Sequence, residues 1–444
     1  MKRSDLSILA PLLLLAPQAA DAQSLTEALG VAYDSNPTIQ AERARQRATN
    51  EAKAQAWANA LPQVSAGANY NKIDQDQTIN SAAFGGVGSS ARTFDLETKA
   101  VQVTGEQPIF TGFRNYNAIR QARARVQAGA AQLTLVEQDV LQRGAQAYFD
   151  VVRDMEVYQA TANNVQVLLR QQEEASLRFE VGEVTRTDVA QADARLAQSR
   201  AQLTTAQARL AVSRATFAQI FGMSAATLEE NPELPPTPAT LDEAMQVASE
   251  LSPVIIRAKM TEQASRRGVA IARGAFSPTV SLTASYQYAD EPSSFVLDDE
   301  QFAYGARASI PIFLGGLNIS RVREAKALNE ADRRRVDEAD RQARAQVTAA
   351  WEQLSAARAN INSATSQVAA NELALTGVRR ENQLGVRTTL DVLDAEQEYL
   401  NAQVSLANAE RDARSATFSL LAAMGVLTLG EDVGGDLNGV EPLN

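Results

Sequence analysis

Asp391 and Asp394, three residues apart in "TTLDVLDAEQEYL", are the pair in this sequence best placed to do chemistry together. Neighbouring carboxylates couple their titrations, attract cations and make charged constrictions. At a spacing of three they share one face of a helix. The rest of the composition narrows what they can be doing. The chain of 444 residues has no cysteine and no histidine. That excludes thiolate and imidazole chemistry, disulfides, haem attachment through cysteine and nearly every transition-metal site built on those ligands. A Ser–His hydrolase is excluded too, which leaves an enzyme only carboxylate or lysine chemistry. No GxGxxG or GxxxxGK cofactor loop occurs, and the paired carboxylates fall on a predicted hairpin tip rather than in a pocket. The chain therefore reads as a non-enzyme, with no cofactor and no metal site. Its 42 basic and 53 acidic residues sum to −11, which argues against a nucleic-acid partner.

The segment that carries the pair is said almost twice. "VGEVTRTDVAQADARL" begins at Val181 and "LGVRTTLDVLDAEQEYL" at Leu384. Gly182 and Gly385 are 385 − 182 = 203 residues apart, as are Asp188 and Asp391. Asp394 has no acidic counterpart, because 394 − 203 = 191 is a glutamine. The repeat extends much further. Pro37 and Pro253 are 216 apart, as are Pro62 and Pro278, whereas Pro108 and Pro311, and Gly222 and Gly425, keep the offset of 203. The difference, 216 − 203 = 13, places an insertion in the first copy between residues 63 and 107. The expected organisation is a signal peptide at 1–22, a first unit at 23–230, a Pro-rich junction at 231–240, a second unit at 241–425 and a tail at 426–444.

Each copy places the same elements ahead of its glycine turn. Val280, Leu282, Ala284, Tyr286 and Tyr288 alternate with polar residues, and Phe302, Tyr304, Ala306, Ala308 and Ile310 alternate on the way back. This period of two predicts β-hairpins, with strands near 63–72, 96–107, 279–289 and 301–311. Strands of about ten residues suit a membrane barrel, although a soluble β-sandwich shows the same alternation. Between the returning strand and the turn lie stretches from Gly112 to Gly182 and from Gly315 to Gly385 without an internal proline. As helices they are on the order of 100 Å long. Their apolar residues recur in sevens, as in Val347, Leu354, Ile361, Val368 and Leu375, and the helices beyond the turns repeat the pattern through Leu196 and Leu210 or Val392 and Tyr399. Sustained heptads predict coiled-coil hairpins.

Lys2 and Arg3, the apolar run Ile8–Ala16 and the small residues Ala20 and Ala22 form a secretory signal. With no cysteine to acylate, the exported protein is not a lipoprotein. Strands whose outer face is apolar need lipid there, and in lipid no sheet edge stays open. Four strands are too few to close a barrel, for which about eight is the practical minimum. Several chains must then share one barrel.

The tandem halves, the "NP" before a helix, the "LP" entering a strand, the "PIF" leaving one and "GVRTTLDVLDAEQEYLNAQ" together resemble the TolC-like outer membrane efflux proteins, the outer membrane factors, from about Leu25 to Met424. The resemblance implies a mainly α fold with a membrane β-barrel part: a homotrimer whose twelve strands cross outer-membrane lipid and continue as a twelve-helix α-barrel. It implies an exit duct for efflux or type I secretion, joined by a periplasmic adaptor to an inner-membrane pump. It places Asp391 and Asp394 in a pore constriction that attracts cations, with Gly182 and Gly385 at the hairpin-tip turns. It makes Arg387, Thr187, Asp188 and Asn382 the gate latch, Asn382 standing where the family has a tyrosine. Without the resemblance, Asp391 reads as a helix-start charge, with Thr388 or Thr389 as the N-cap. The competing function is a pore-less periplasmic coiled-coil scaffold or adaptor, which has no use for two lipid-facing hairpins per chain.

Overall fold

The computed structural model describes residues 23–80, 89–225, 227–293 and 296–429. The predicted signal peptide and most of the predicted tail lie outside the described residues. The first unit runs through α1 (Leu25–Ser35), α2 (Pro37–Ala58), β1 (Gln63–Asn80), β2 (Ser89–Phe110), α3 (Arg114–Glu180) and α4 (Arg186–Phe221). The second repeats that order as α5 (Leu241–Leu251), α6 (Pro253–Gly274), β3 (Thr279–Ser293), β4 (Val296–Ser309), α7 (Leu317–Gln383) and α8 (Thr389–Met424). The helices match in length across the units: 67 residues each in α3 and α7, and 36 each in α4 and α8.

Local chemistry sets the boundaries. Asn36 accepts a hydrogen bond from the Thr38 amide at 2.9 Å, and Pro37, which needs no amide partner at a helix start, opens α2. Pro253 opens α6 in the same position. Between β2 and α3 the chain turns through Gly112, whose φ is +64°. A Cβ there would lie 2.5 Å from the Gly274 carbonyl oxygen, so only glycine lets the two units cross at this point.

The four strands form one antiparallel sheet in the order β1-β2-β3-β4. They are longer than the apolar runs in the sequence, at 18, 22, 15 and 14 residues. The alternation ends where charges begin, but the backbone ladder continues. Lys72 bridges Glu97 at 2.9 Å and Asp95 at 3.6 Å, and Lys99 meets Asp290 at 3.7 Å. β4 stops at Ser309, short of the expected 311, because Pro311 has no amide to give the ladder.

Register places Ala68, Val101, Tyr288 and Glu300 in one row, and Ala66, Val103, Tyr286 and Phe302 in the next. Apart from Gln107 and Glu300, that face is apolar from Val280 to Tyr288, a length along the strand of about 26 Å. The opposite face carries Asn69, Gln102, Thr104, Ser285, Thr283 and Gly305. Below the sheet, the helices follow the order of the strands: α2 packs on α3, α3 on α6 and α6 on α7. Further along, α3 pairs with α4 and α7 with α8. Val347, Leu354 and Leu375 are buried along one predicted heptad seam, and Leu196, Leu210, Phe217, Val392 and Leu420 along others. The short helices α1 and α5 cover the far ends of α4 and α8, in cores that include Tyr148, Phe149, Phe217 and Phe418, or Val347 and Leu420. Heptads did not reveal one buried face. Leu393, one residue off its seam, is 1% exposed and packs against Val165, Leu168, Ala192 and Leu196 of the first hairpin. α8 therefore holds both hairpins.

Candidate functional site at the hairpin tips

Both hairpins reverse through a glycine in the left-handed region, Gly182 at φ +81° and Gly385 at φ +77°. The amides of Glu183 and Gly182 donate to the carbonyls of Arg178 and Phe179, and those of Val386 and Gly385 to Glu381 and Asn382, at 2.8–3.0 Å. This paired closure satisfies the last carbonyls of α3 and α7 and requires a residue free of Cβ strain at the turn. The next helix then starts with a reciprocal cap. Thr388 is the N-cap, not Thr389. Asp391 accepts from the Thr388 amide at 2.9 Å and from its hydroxyl at 2.8 Å, while the Thr388 hydroxyl accepts from the Asp391 amide at 3.3 Å. Thr185 and Asp188 make the same box at the start of α4.

These bonds fix the electrostatics. Hydrogen bonds from Thr388, with Arg387 nearby, hold the Asp391 carboxyl below the ordinary aspartate range. Thr185 does the same for Asp188. Within the chain, therefore, Asp391 is a stabilised anion rather than one destabilised by a like charge.

The remaining predicted residues take partners the sequence did not suggest. Arg387 donates through Nε to Glu381 at 3.0 Å and lies 3.9 Å from Asp391. Among the described residues no hydrogen bond joins it to Thr187 or Asp188, since its side chain folds back over its own turn. Asn382 donates to the Arg387 carbonyl at 2.9 Å and so braces that turn. Asp394, half-exposed, accepts from Arg195 of α4 at 2.5 Å. Two residues further, Glu396, with its side chain only 5% exposed, is gripped by Arg379 through Nε at 2.9 Å and Nη2 at 2.5 Å. Neither arginine stands out by periodicity. Each is found only by asking which cation can reach an acid on a helix face that is otherwise packed.

The geometry is that of two rigid rods of about 100 Å, each ending in a capped, charged turn, below a sheet with one apolar face. The sequence profile of the family described as outer membrane efflux protein matches residues 28–223 and 244–426. The chain is 31% identical to the outer membrane efflux protein BepC of Brucella suis, over 93% of this chain and 88% of that one. It is 26% identical to the outer membrane protein TolC of Escherichia coli, over 92% of this chain and 83% of that one. Its fold is similar to the crystal structure of the CmeC outer membrane channel of Campylobacter jejuni, with a TM-score of 0.80 at 15% identity, covering 99% and 96% of the two chains. The chain belongs to the outer membrane efflux protein family.

Proposed function

We propose that the protein is the outer-membrane exit duct of a tripartite efflux or type I secretion system, gated at its periplasmic tips. Three copies close a twelve-stranded barrel over a twelve-helix tunnel. Units 23–230 and 241–425, joined by 231–240, are the repeating parts, with 1–22 removed on export and 426–444 following the second unit.

The observation that carries this reading is a difference between two copies of the same motif. Ile109 and Phe110 of the first "PIF" lie where β2 meets β3 and α3 meets α6; Ile109 is 58% exposed and Phe110 is half-buried. Ile312 and Phe313 of the second are 94% and 84% exposed. β1 and α2 are the elements that would cover them, and both lie at the opposite edge of the same chain. A neighbouring copy that repeats the internal junction supplies those elements and buries the apolar motif. Four strands per chain then close as twelve, the apolar strand length of about 26 Å, tilted as barrel strands are, spans on the order of 20 Å of the roughly 25 Å lipid face, and no edge is left open. Leu177, Val181, Leu384 and Val386 are exposed around the tip turns and offer the apolar surface for a periplasmic adaptor, which links the duct to an inner-membrane pump.

The test is the outer-membrane fraction. The protein runs there as a trimer that converts to monomer on heating, and it conducts in a planar bilayer. A non-conducting protein recovered from the soluble periplasm would establish the scaffold reading instead.

The tips supply the constriction, with Asp391 and Asp394 of three chains around one axis. Asp391→Asn with Asp394→Asn weakens cation selectivity and block by hexaamminecobalt(III), while the amide at 391 still caps α8. Acid relieves the block in the parent through the same carboxylate. Because the Thr388 hydrogen bonds lower the Asp391 pKa, the group stays charged down to pH values below the ordinary aspartate range, and relief begins only there. Its capping contribution follows the same sign, present above the unfolded pKa and lost as pH falls through the folded one. Relief already complete at pH 6 would mean that repulsion around the ring outweighs the Thr388 cap.

A further inference from the structure

Asp394 is unmatched in the first repeat, and its cation comes from the first repeat. At the offset of 203, Gln191 corresponds to Asp394 and Arg195 to Glu398. In each helix the two positions are one turn apart and share a face. α4 thus presents glutamine and arginine where α8 presents aspartate and glutamate. These two helices meet near the tip, with Leu393 of α8 seated on Ala192 and Leu196 of α4. Two identical copies with the second unit's residues would bring acids against acids there. The divergence places the Arg195 guanidinium 2.5 Å from the Asp394 carboxylate instead, with the arginine 31% and the aspartate 53% exposed. Gln198 accepts from the other arm of the guanidinium at 3.2 Å, which fixes its direction.

We propose that Arg195 is the resident counterion of Asp394 and sets the ion selectivity of the tip. This rests on the constriction reading above. With Arg195 in place, each chain's Asp394 adds no net charge to the opening, and Asp391 remains as the acid that a passing cation meets. The opening is accordingly much less negative than its six carboxylates suggest. Cargo carrying negative charge meets three guanidinium groups beside the acids, and the duct admits anionic as well as cationic solutes. Arg195 is a specificity-determining residue, and its effect on the permeating ion is electrostatic.

The test uses the intact trimer in planar bilayers under a salt gradient, with hexaamminecobalt(III) added from the periplasmic side. Arg195→Gln unmasks three acids at the opening. The reversal potential moves toward that of a cation-selective pore, and the trivalent cation blocks on the order of tenfold more tightly, since each unit charge acts on a trivalent ion at close range. Arg195→Lys keeps the parent's selectivity and block. The exchanged pair, Arg195→Asp with Asp394→Arg, restores the parent's values with the ion pair reversed. Unchanged selectivity in Arg195→Gln would overturn the proposal, as would Arg195→Lys behaving like Arg195→Gln. A change in conductance alone would make Arg195 a mechanical clasp and would also overturn it. Asp391→Asn with Asp394→Asn separates the two levels of the argument. If that variant loses block while Arg195→Gln does not tighten it, only the counterion role falls. If neither variant alters block, the constriction lies elsewhere and both readings fall.

Discussion

Chains carrying Ile312→Asp and Phe313→Asp reach detergent as monomers, and heat-modifiable trimers disappear from the outer-membrane fraction. The repeat arithmetic identifies what these residues touch. Inside the chain, Phe110 pairs with Val280 across β2 and β3. Adding 203 to the first and subtracting 216 from the second gives Phe313 opposite Val64, which lie at opposite edges of one chain and which the proposed ring brings together from neighbouring copies. Val64 is exposed in the single chain, as are Ile312 and Phe313. Burying an apolar side chain of this size contributes about 1.5–3 kcal/mol, and the junction recurs three times around the ring. The aspartates lose that contribution and also place six carboxylates at the base of the barrel without partners, where each costs several kcal/mol to dehydrate. The sum exceeds the 5–15 kcal/mol that usually separates folded from unfolded proteins. The helical hairpins do not depend on this junction, so far-ultraviolet circular dichroism keeps its helical signal. Trimers of parental heat resistance, found by sedimentation in detergent, would remove the basis for the ring.

What the sequence made legible, and what it did not, follows from how each contact is encoded. The two units, the strand faces and the long helices are written in local periodicities and a constant offset, so residues such as Gly182, Gly385 and Leu354 could be placed before any coordinates. The strands were underestimated because Lys72, Asp95 and Glu97 pair across the ladder without alternating. Leu393 was missed because a heptad reports one seam, whereas α8 buries a second face on Ala192 and Leu196. Arg195 and Asp394 are 199 residues apart, and nothing local in either helix announces the other. The repeat itself held the missing signal. Aligning Gln191 and Arg195 with Asp394 and Glu398 shows opposite charge on two faces that must abut, a comparison that single-helix patterns do not make. Asp391 was legible as a charge at the helix start, but its reciprocal bonds with Thr388 were not, because the sequence left Thr388 and Thr389 as equal candidates for the N-cap.

The second large effect is expected at the latch. Arg387→Ser combined with Asp188→Ala raises single-channel conductance severalfold, and each change alone has a smaller effect. Within one chain Arg387 is held by Glu381 at 3.0 Å and Asp188 by Thr185 at 2.8 Å, so neither is bonded to the other hairpin. On the latch reading, contacts between Arg387 and the Thr187–Asp188 turn come from an adjacent copy and compete with the intrachain partners. An exposed pair of this kind contributes about 1 kcal/mol at most. Repeated three times it contributes about 3 kcal/mol, on the order of a 150-fold bias toward the closed tip. Arg387→Ser leaves a hydroxyl that can still reach the acceptor, and Asp188→Ala leaves Thr187 to the guanidinium, so only the double change clears the contact in all three copies. Asp188→Ala also removes a helix cap, which costs about 1 kcal/mol. Thr185→Ala separates these roles, since it weakens the cap and leaves the carboxylate available to a neighbour. A tip held by the latch keeps its low conductance in Thr185→Ala and opens in the double variant. Equal conductance in the parent and the double variant, recorded in the same bilayer, would reduce Arg387 and Asp188 to residues that shape their own turns.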